Sequence, residues 1–404
     1  MFNLLGNKKQ KRVYLDYAAA TPIRKEVKDV LIKHFDIFAN PGTIHKDGVE
    51  AFDILQKSKQ KIAEAIFCRA DEIVFTSSAT EANNLALLGV LSTWQKNNLN
   101  KIPHIITTNI EHPSVLEVCK KLVRENLAEV TYLKVDEDGV VDIKLLRAAM
   151  KENTVLVSII FASNEIGTIH PIKEISKEIR HFKKHTLANH ESMYPLLHSD
   201  ASQALCYEEI DLRNLGVSTI TISSEKIYGP KGVAMLYIKS GTPINKILEG
   251  GSQENNLRPG TENVGAIVAF AEAVKLAVSE REVESTRIRE IQNYCFDELE
   301  KNFSGKFIIN GSRENRLPNN INITFKEFDS ELLVIELDAK GVSVSEKSAC
   351  DTESGEESYV IEALRSENTG SLRISFGKDT QKSDIDFLIT SLKSILKKYQ
   401  NIQV

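Results

Sequence analysis

The sequence predicts an α/β protein, with a mainly parallel seven-stranded sheet covered by helices and a smaller α/β unit after it. Three observations carry that reading. From about residue 50 to 240, helical patterns alternate with short β-rich runs, as in consecutive βαβ units. The run 155–161 (VLVSIIF) is nearly all apolar, as a strand covered on both faces should be. The length, 404 residues, exceeds what one compact core usually encloses, so a second unit is expected.

In chain order, the helical patterns fall at 50–66, 81–95, 113–125 and 172–185. The β-rich runs fall at 72–75, 104–108, 128–133, 155–161, 196–199, 219–223 and 233–238. The polar stretch 185–194 reads as a surface loop, longer than the usual helix-to-strand connection. Residues 250–260 are rich in Gly and Asn without a period, so they read as loop. A long helical pattern follows from 264 to about 302, with a break expected near Ser279. Strands at 321–325 and 371–376 and helices at 330–340 and 383–399 then make up the smaller unit. No internal repeat or low-complexity tract interrupts them.

Hydrophobic content of 42% and charged content of 26% are ordinary for a soluble globular protein. A net charge of −5 gives no electrostatic case for nucleic-acid binding. No run reaches the apolar length of a membrane span. The basic opening at 8–12 has no apolar stretch behind it and does not read as a secretory signal. The expectation is a cytoplasmic protein. Its five cysteines are odd in number, widely spaced and without a CxxC pair, which supports neither a disulfide framework nor a zinc site. Cys68, Cys119, Cys206 and Cys295 sit among apolar neighbours and are expected in the core. Cys350 differs. It lies in the polar stretch SACDTESG, where an exposed thiol on a mobile loop calls for a reason.

Ligands of open α/β sheets bind beyond the carboxyl ends of the strands, so the residues after each β-rich run matter most. Lys226 follows 219–223 and precedes a turn pinned by Gly and Pro (KIYGPKG). It is either one more solvated lysine or an amine held rigidly enough to form a Schiff base with an aldehyde cofactor. Thr76 to Glu81 opens a helix, with Ser78 and Glu81 at capping-box spacing. A capped helix needs nothing more, yet the same free N–H groups, with the Thr80 hydroxyl, can hold an anion. Asp200 follows 196–199 and is either a structural carboxylate or the partner of a heterocyclic nitrogen. Asn164 follows 155–161, and His112 stands before Pro113 with a flat ring that can cap a helix or stack on a flat ligand.

These residues carry a family resemblance. The chain resembles the cysteine desulfurases, fold-type I pyridoxal-phosphate (PLP) enzymes of the aminotransferase class V group. The likeness runs through YLDYAAATP from Tyr14, Asn40-Pro41-Gly42, IVFTSSATEANN, IEHPSVL, NEIGT, SDASQ, KIYGPKG, SQENNLRPGTENV, SAC and SLRISFG. It implies that Lys226 holds the cofactor as a Schiff base and removes the substrate α-proton. It implies that His112 stacks on the ring and assists proton transfer, and that Asp200 pairs with the pyridine nitrogen. Asn164 and Gln203 would contact the ring oxygen and the Schiff-base region, with Asn164 also near the substrate. Ala79 (through its backbone N–H), Thr80 and Ser223 would hold the phosphate, and Thr261 would reach it across a homodimer interface. Arg373 would bind the substrate carboxylate as a guanidinium fork. Cys350 would be the nucleophile that takes sulfur from L-cysteine as a persulfide, releases L-alanine and passes the sulfur to an acceptor protein. The implied pathways are iron–sulfur cluster assembly and tRNA thiolation. The implied domains are a large PLP-binding domain at 22–280 and a small one from 1–21 and 281–404, which carries the nucleophile loop at about 345–358.

The chain also departs from the family pattern. Glu225 stands where a histidine usually precedes the Schiff-base lysine. A carboxylate facing a phosphate at about 4 Å is repelled by roughly 4 kcal/mol per charge pair at intermediate dielectric. Glu225 must therefore turn away, stay protonated or sit beside a cation, and weaker PLP retention is expected. Glu346 and Lys347 replace the usual Ser and Gly, and Lys347 is expected to lower the thiol pKa. Glu357 replaces a frequent proline, and 362–370 looks shortened. A selenocysteine lyase or other class V PLP enzyme, and a non-catalytic homologue acting as a binding partner, are the alternative readings.

Overall fold

The computed structural model describes residues 12–99, 101–186, 193–346, 358–365 and 370–400. Part of the polar loop at 185–194, the basic opening apart from Arg12, Lys347, Cys350, Glu357 and part of 362–370 lie outside the described residues.

The strands are β1 (Val13–Tyr14), β2 (Ile73–Thr76), β3 (His104–Thr108), β4 (Glu129–Leu133), β5 (Thr154–Ser158), β6 (Leu196–Asp200), β7 (Thr219–Ser223), β8 (Ala234–Ile238), β9 (Phe307–Ile309), β10 (Asn320–Phe325), β11 (Val342–Ser343) and β12 (Leu372–Ser375). The helices of the first part are α1 (Lys25–Lys33), α2 (Lys46–Ile66), α3 (Ala79–Asn97), α4 (Pro113–Arg124), α5 (Ile143–Ala149), α6 (Ile172–Thr186) and α7 (Leu212–Leu215). After them come a single turn α8 (Gln253–Asn256), the long α9 (Val264–Phe303), α10 (Ser330–Ala339), α11 (Tyr359–Leu364) and α12 (Lys382–Gln400).

Seven strands form the central sheet in the order β2-β8-β7-β6-β5-β3-β4. β3, β4, β5, β6 and β7 run parallel, while β8 is antiparallel to both β7 and β2. Alternate side chains of these strands face opposite sides. Phe75, Ile106, Val157, Leu197 and Met235 point to one face and pack against α2, α6 and the first half of α9. Val74, Ile105, Leu156, Leu196 and Leu236 point to the other and meet α3 and α4. Both faces are therefore dry, which explains the unbroken apolar run in the sequence. Each fully buried Leu, Ile or Phe contributes about 1.5–3 kcal/mol. β5 ends at Ser158 rather than at Phe161. Ile159 and Phe161 still bond to β6, but the Ile160 N–H donates to the buried carboxylate of Glu111, so the ladder stops there.

A separate apolar cluster gathers β9, β10, β12, α10, α12 and the second half of α9. β12-β10-β9 is a three-stranded antiparallel sheet, and β1 pairs parallel with β11 beside it. Helix α9 runs unbroken through Ser279, contrary to the expected break. The Ser279 hydroxyl donates to the Leu276 carbonyl of its own helix, and the helix contributes Phe270 to one cluster and Phe296 to the other. Cys119, Cys206 and Cys295 are buried as expected, whereas Cys68 is only half-buried. No helix of the described residues is long and apolar enough to cross a membrane.

Candidate active site

The carboxyl ends of β2, β5, β6 and β7, with the start of α4, open onto one cavity. It is lined by Ala79, Thr80, His112, Asn164, Asp200, Gln203, Ser223, Lys226 and Arg373. Thr261 stands apart from this lining, exposed, with its hydroxyl 3.5 Å from the Asn40 amide. Cys350 lies outside the described residues. The structure thus brings together nine of the eleven site residues expected from the sequence.

Lys226 ends a 3₁₀ turn, Ser224–Lys226, that caps β7. Downstream, Tyr228 adopts φ 64° and Gly232 φ 80°, so the KIYGPKG segment bends back sharply to start β8. The turn is tight: a Cβ on Gly229 would fall 2.1 Å from the Ser224 hydroxyl. The Lys226 Nζ donates to the carbonyls of Ala18 (3.0 Å) and Ala19 (2.5 Å). It also lies 4.0 Å from the Glu225 carboxylate. All three oxygens favour an ammonium, so attachment to an aldehyde, which needs the free amine, requires these contacts to loosen. The YLDYAAATP segment has a positioning role that no local sequence pattern announces. It crosses from β1 to the cavity and is tied there by Thr21, whose N–H and hydroxyl donate to the Glu225 carbonyl.

Asp200 closes the floor of the site and is buried. Its Oδ1 accepts from the Ser202 N–H (2.9 Å) and its Oδ2 from the Asn83 amide (2.7 Å). His112 is the N-cap of α4, with Pro113 in the first turn, and its Nδ1 accepts from the Ser114 N–H at 3.2 Å. The ring that caps the helix also lines the cavity. Next to it, burial and the nearby Asp200 charge raise Glu111 to about 8. Thr108 and the Ile160 N–H donate to one oxygen of that carboxyl.

Ser78 caps α3 by accepting from the Glu81 N–H (3.2 Å), the half of the capping box it was expected to make. The Glu81 carboxylate takes a different partner: it accepts from the Ser77 N–H and hydroxyl and from Arg258. Those donors hold Glu81 below the usual carboxylate range despite burial. The arginine offsets its charge beside a helix N-terminus suited to an anion.

Arg373, 1% exposed, donates to Asp16 (2.9 Å) and to the Asn164 carbonyl (3.1 Å). Its Nε is buried and finds no partner among the described residues. Arg373 also bridges Ser345 through the backbone in both directions. One residue on, Glu346 is pinned: its carboxylate accepts from Ser330 and its carbonyl from Ser371. Beyond residue 357, the Ser358 hydroxyl donates to the buried Glu165 (2.6 Å) and Tyr359 to the Glu111 carbonyl (2.6 Å). The described residues on either side of 347–357 therefore adjoin site residues. Among the described cysteines, Cys68, Cys119 and Cys206 are pushed up to about 12 by burial, and Cys295 is raised as well. None of the four lines the cavity.

These residues fit the cofactor that the sequence resemblance implies. An amine, a buried carboxylate, an imidazole and a helix N-terminus match the aldehyde, ring nitrogen, ring face and phosphate of PLP. The Arg373 Nε and the buried Ser202 hydroxyl, without partners among the described residues, are donors that a bound ligand can satisfy.

The aminotransferase class-V family pattern matches residues 13–388. The chain is 42% identical to the cysteine desulfurase IscS of Dictyoglomus turgidum, covering 97% of this chain and 96% of that protein. It is 35% identical to the cysteine desulfurase IscS 1 of Archaeoglobus fulgidus, covering 96% and 98%. A solved structure of a NifS-like protein superposes with a TM-score of 0.86 at 31% identity, covering 96% of this chain and 100% of the other. A structure described as SspA in complex with cysteine superposes at 0.76 with 29% identity, covering 91% and 99%. In sequence along nearly its whole length, and in fold, the chain belongs to the cysteine desulfurases of the class V aminotransferase family, which are PLP-dependent enzymes.

Proposed function

We propose that this chain is a PLP-dependent cysteine desulfurase that converts L-cysteine to L-alanine and leaves the sulfur as a persulfide on Cys350. The observation that carries the reading is the convergence of Lys226, Asp200, His112, the α3 N-terminus and Arg373 on one cavity. When bound, PLP supplies an electron sink that acidifies the substrate α-carbon and activates the loss of sulfur. Lys226 holds the cofactor and is the base that takes and returns the α-proton. Asp200 supplies negative charge for a protonated ring nitrogen, and His112 covers the ring and assists proton transfer. Asn164 and Gln203 would contact the ring oxygen side, Ala79, Thr80 and Ser223 would take the phosphate, and Arg373, whose Nε has no partner among the described residues, would take the substrate carboxylate. The Cys350 thiolate attacks the substrate sulfur. A sulfur–sulfur bond forms as the carbon–sulfur bond breaks, and the bonding pair leaves with the carbon, which gains a proton to give alanine.

The reading extends to a homodimer. Thr261 stands outside its own cavity, and Phe38 (90% exposed) and Ile44 (98% exposed) flank the Asn40-Pro41-Gly42 turn beside it. Apolar residues that exposed are suited to burial by a second copy. The rest of the proposal is a large domain at 22–280, a small one from 1–21 and 281–404, a cytoplasmic location and a sulfur-acceptor protein of the scaffold or thiolation type. Nucleic acid and membrane are not direct partners in it. The test is alanine and sulfide release from cysteine, with borohydride trapping of the cofactor on Lys226. Wild type should turn over and trap, and Cys350→Ala should trap without sulfide release. A wild type that traps nothing at Lys226 would refute the proposal.

A further inference from the structure

One side chain that lies off the cavity lining joins the group expected at the cofactor's ring nitrogen to the one expected over its ring face. Asn83, on α3, is fully buried. Its Nδ2 donates to the Asp200 Oδ2 at 2.7 Å and to the Ser114 Oγ at 2.8 Å. Its Oδ1 lies 3.2 Å from the His198 Nε2. A carboxylate only accepts, so the Asp200 contact settles which end of the amide is nitrogen. The Asn83 oxygen then faces His198, whose Nε2–H must donate to it while its Nδ1 accepts from Thr219 (2.9 Å). Burial lowers His198 to about 4, in keeping with a neutral ring that carries one proton.

The other branch runs to His112. The Ser114 hydroxyl accepts from Asn83 and lies 2.8 Å from the His112 Nδ1. That nitrogen already accepts the Ser114 N–H, so it bears a lone pair and the hydroxyl proton points toward it. The direction of donation is therefore fixed along the chain from His198 through Asn83 and Ser114 to His112. The remaining proton of the His112 ring is left on Nε2.

We propose that Asn83 is a positioning residue that orients the Asp200 carboxylate and, through Ser114, sets the His112 tautomer with its proton on Nε2. Such a device keeps both groups in one protonation pattern, because neither can change partner without turning the same amide. This rests on the roles given to Asp200 and His112 in the proposed function.

The test uses the full chain labelled with ¹⁵N-histidine, with PLP affinity and the visible absorption of the bound cofactor read in parallel. In the cofactor-free wild type, His112 should show the Nε2-protonated tautomer. Ser114→Ala keeps the longer backbone N–H contact (3.2 Å) but loses the hydroxyl at 2.8 Å, so it should raise the share of the Nδ1-protonated tautomer yet change PLP affinity by less than about threefold, and Ser114→Thr should restore the wild-type pattern. Asn83→Leu, close in volume, should weaken PLP by about tenfold or more, as expected for losing a hydrogen bond to a charged group. It should also shift the pH dependence of the cofactor absorption. A folded Asn83→Leu with wild-type affinity and tautomer overturns the proposal. If Asn83→Leu does not fold, an unchanged His112 tautomer in Ser114→Ala overturns it instead. A wild type that binds no PLP at Lys226 sinks the proposed function, while the cofactor-free tautomer measurement still decides this point.

Discussion

Glu225 places a negative charge 4.0 Å from the Lys226 amine, where the family pattern has a histidine. The chain's own lysine is the cation beside it, so in the free protein the carboxylate is compensated. Attaching a cofactor there converts that ammonium and brings in a phosphate. Glu225 is 37% exposed on its side chain, so screening limits the penalty to about 1 kcal/mol. Glu225→His is expected to tighten PLP binding about fivefold, measured by absorbance titration, and an unchanged affinity would contradict this account. Asp16 is the counter-charge of the buried Arg373. Asp16→Ala strands that guanidinium and should cost about 3 kcal/mol in urea unfolding. Lys226, Asp200 and His112 were legible because each stands within four residues of the end of a β-rich run. Asn83 and Asp16 were not, since their partners lie 117 and 357 residues away and no local pattern announces such pairs.

Helix α9 belongs to two apolar clusters at once, with Ala266 to Val274 in one and Ile288 to Phe303 in the other. Between them Val283 is 75% exposed and packs little. Val283→Pro removes a helical hydrogen bond and crowds the preceding turn, a loss of about 3 kcal/mol. The clusters should then melt in separate steps by calorimetry, whereas a single unshifted transition would show that α9 does not couple them. The helical period of this element was plain in the sequence, and the expected break at Ser279 was not met because its hydroxyl finds a carbonyl within the helix. The antiparallel β8 was readable in principle. Ser223 and Ala234 are too close in sequence for a crossover helix, so the strand after the lysine turn had to return.

Across the molecule, four buried groups shape the response to pH. His104, His170 and His198 are lowered to about 4 by burial and stay neutral in the fold. The unfolded chain takes up their protons first, so the stability they contribute is present above pH 6.5 and lost as pH falls toward 4. Glu111 is raised to about 8, so its contribution is full below pH 4.5 and lost as pH rises through 8. Together these groups place maximal stability near pH 6.5. Glu111→Gln should flatten the decline between pH 6.5 and 8.5 in thermal melts, and an equal decline in both proteins would contradict the assignment. The division into a parallel-sheet unit and a smaller unit was legible from strand and helix alternation. Which residues of the two units meet at the site was not, because Arg373 reaches the cavity only through β12 pairing with β10 and bridging Ser345.

The pinning of Glu346 has a consequence for delivery. Cys350 is the fourth residue after it, so the sulfur that the proposed function leaves there stays within a backbone reach of about 14 Å from Glu346. Cargo on so short a leash cannot seek out a distant recipient. In the proposed function the acceptor must therefore bring its own receiving group to this face of the molecule, and inserting residues after Glu346 should relax which acceptors are served.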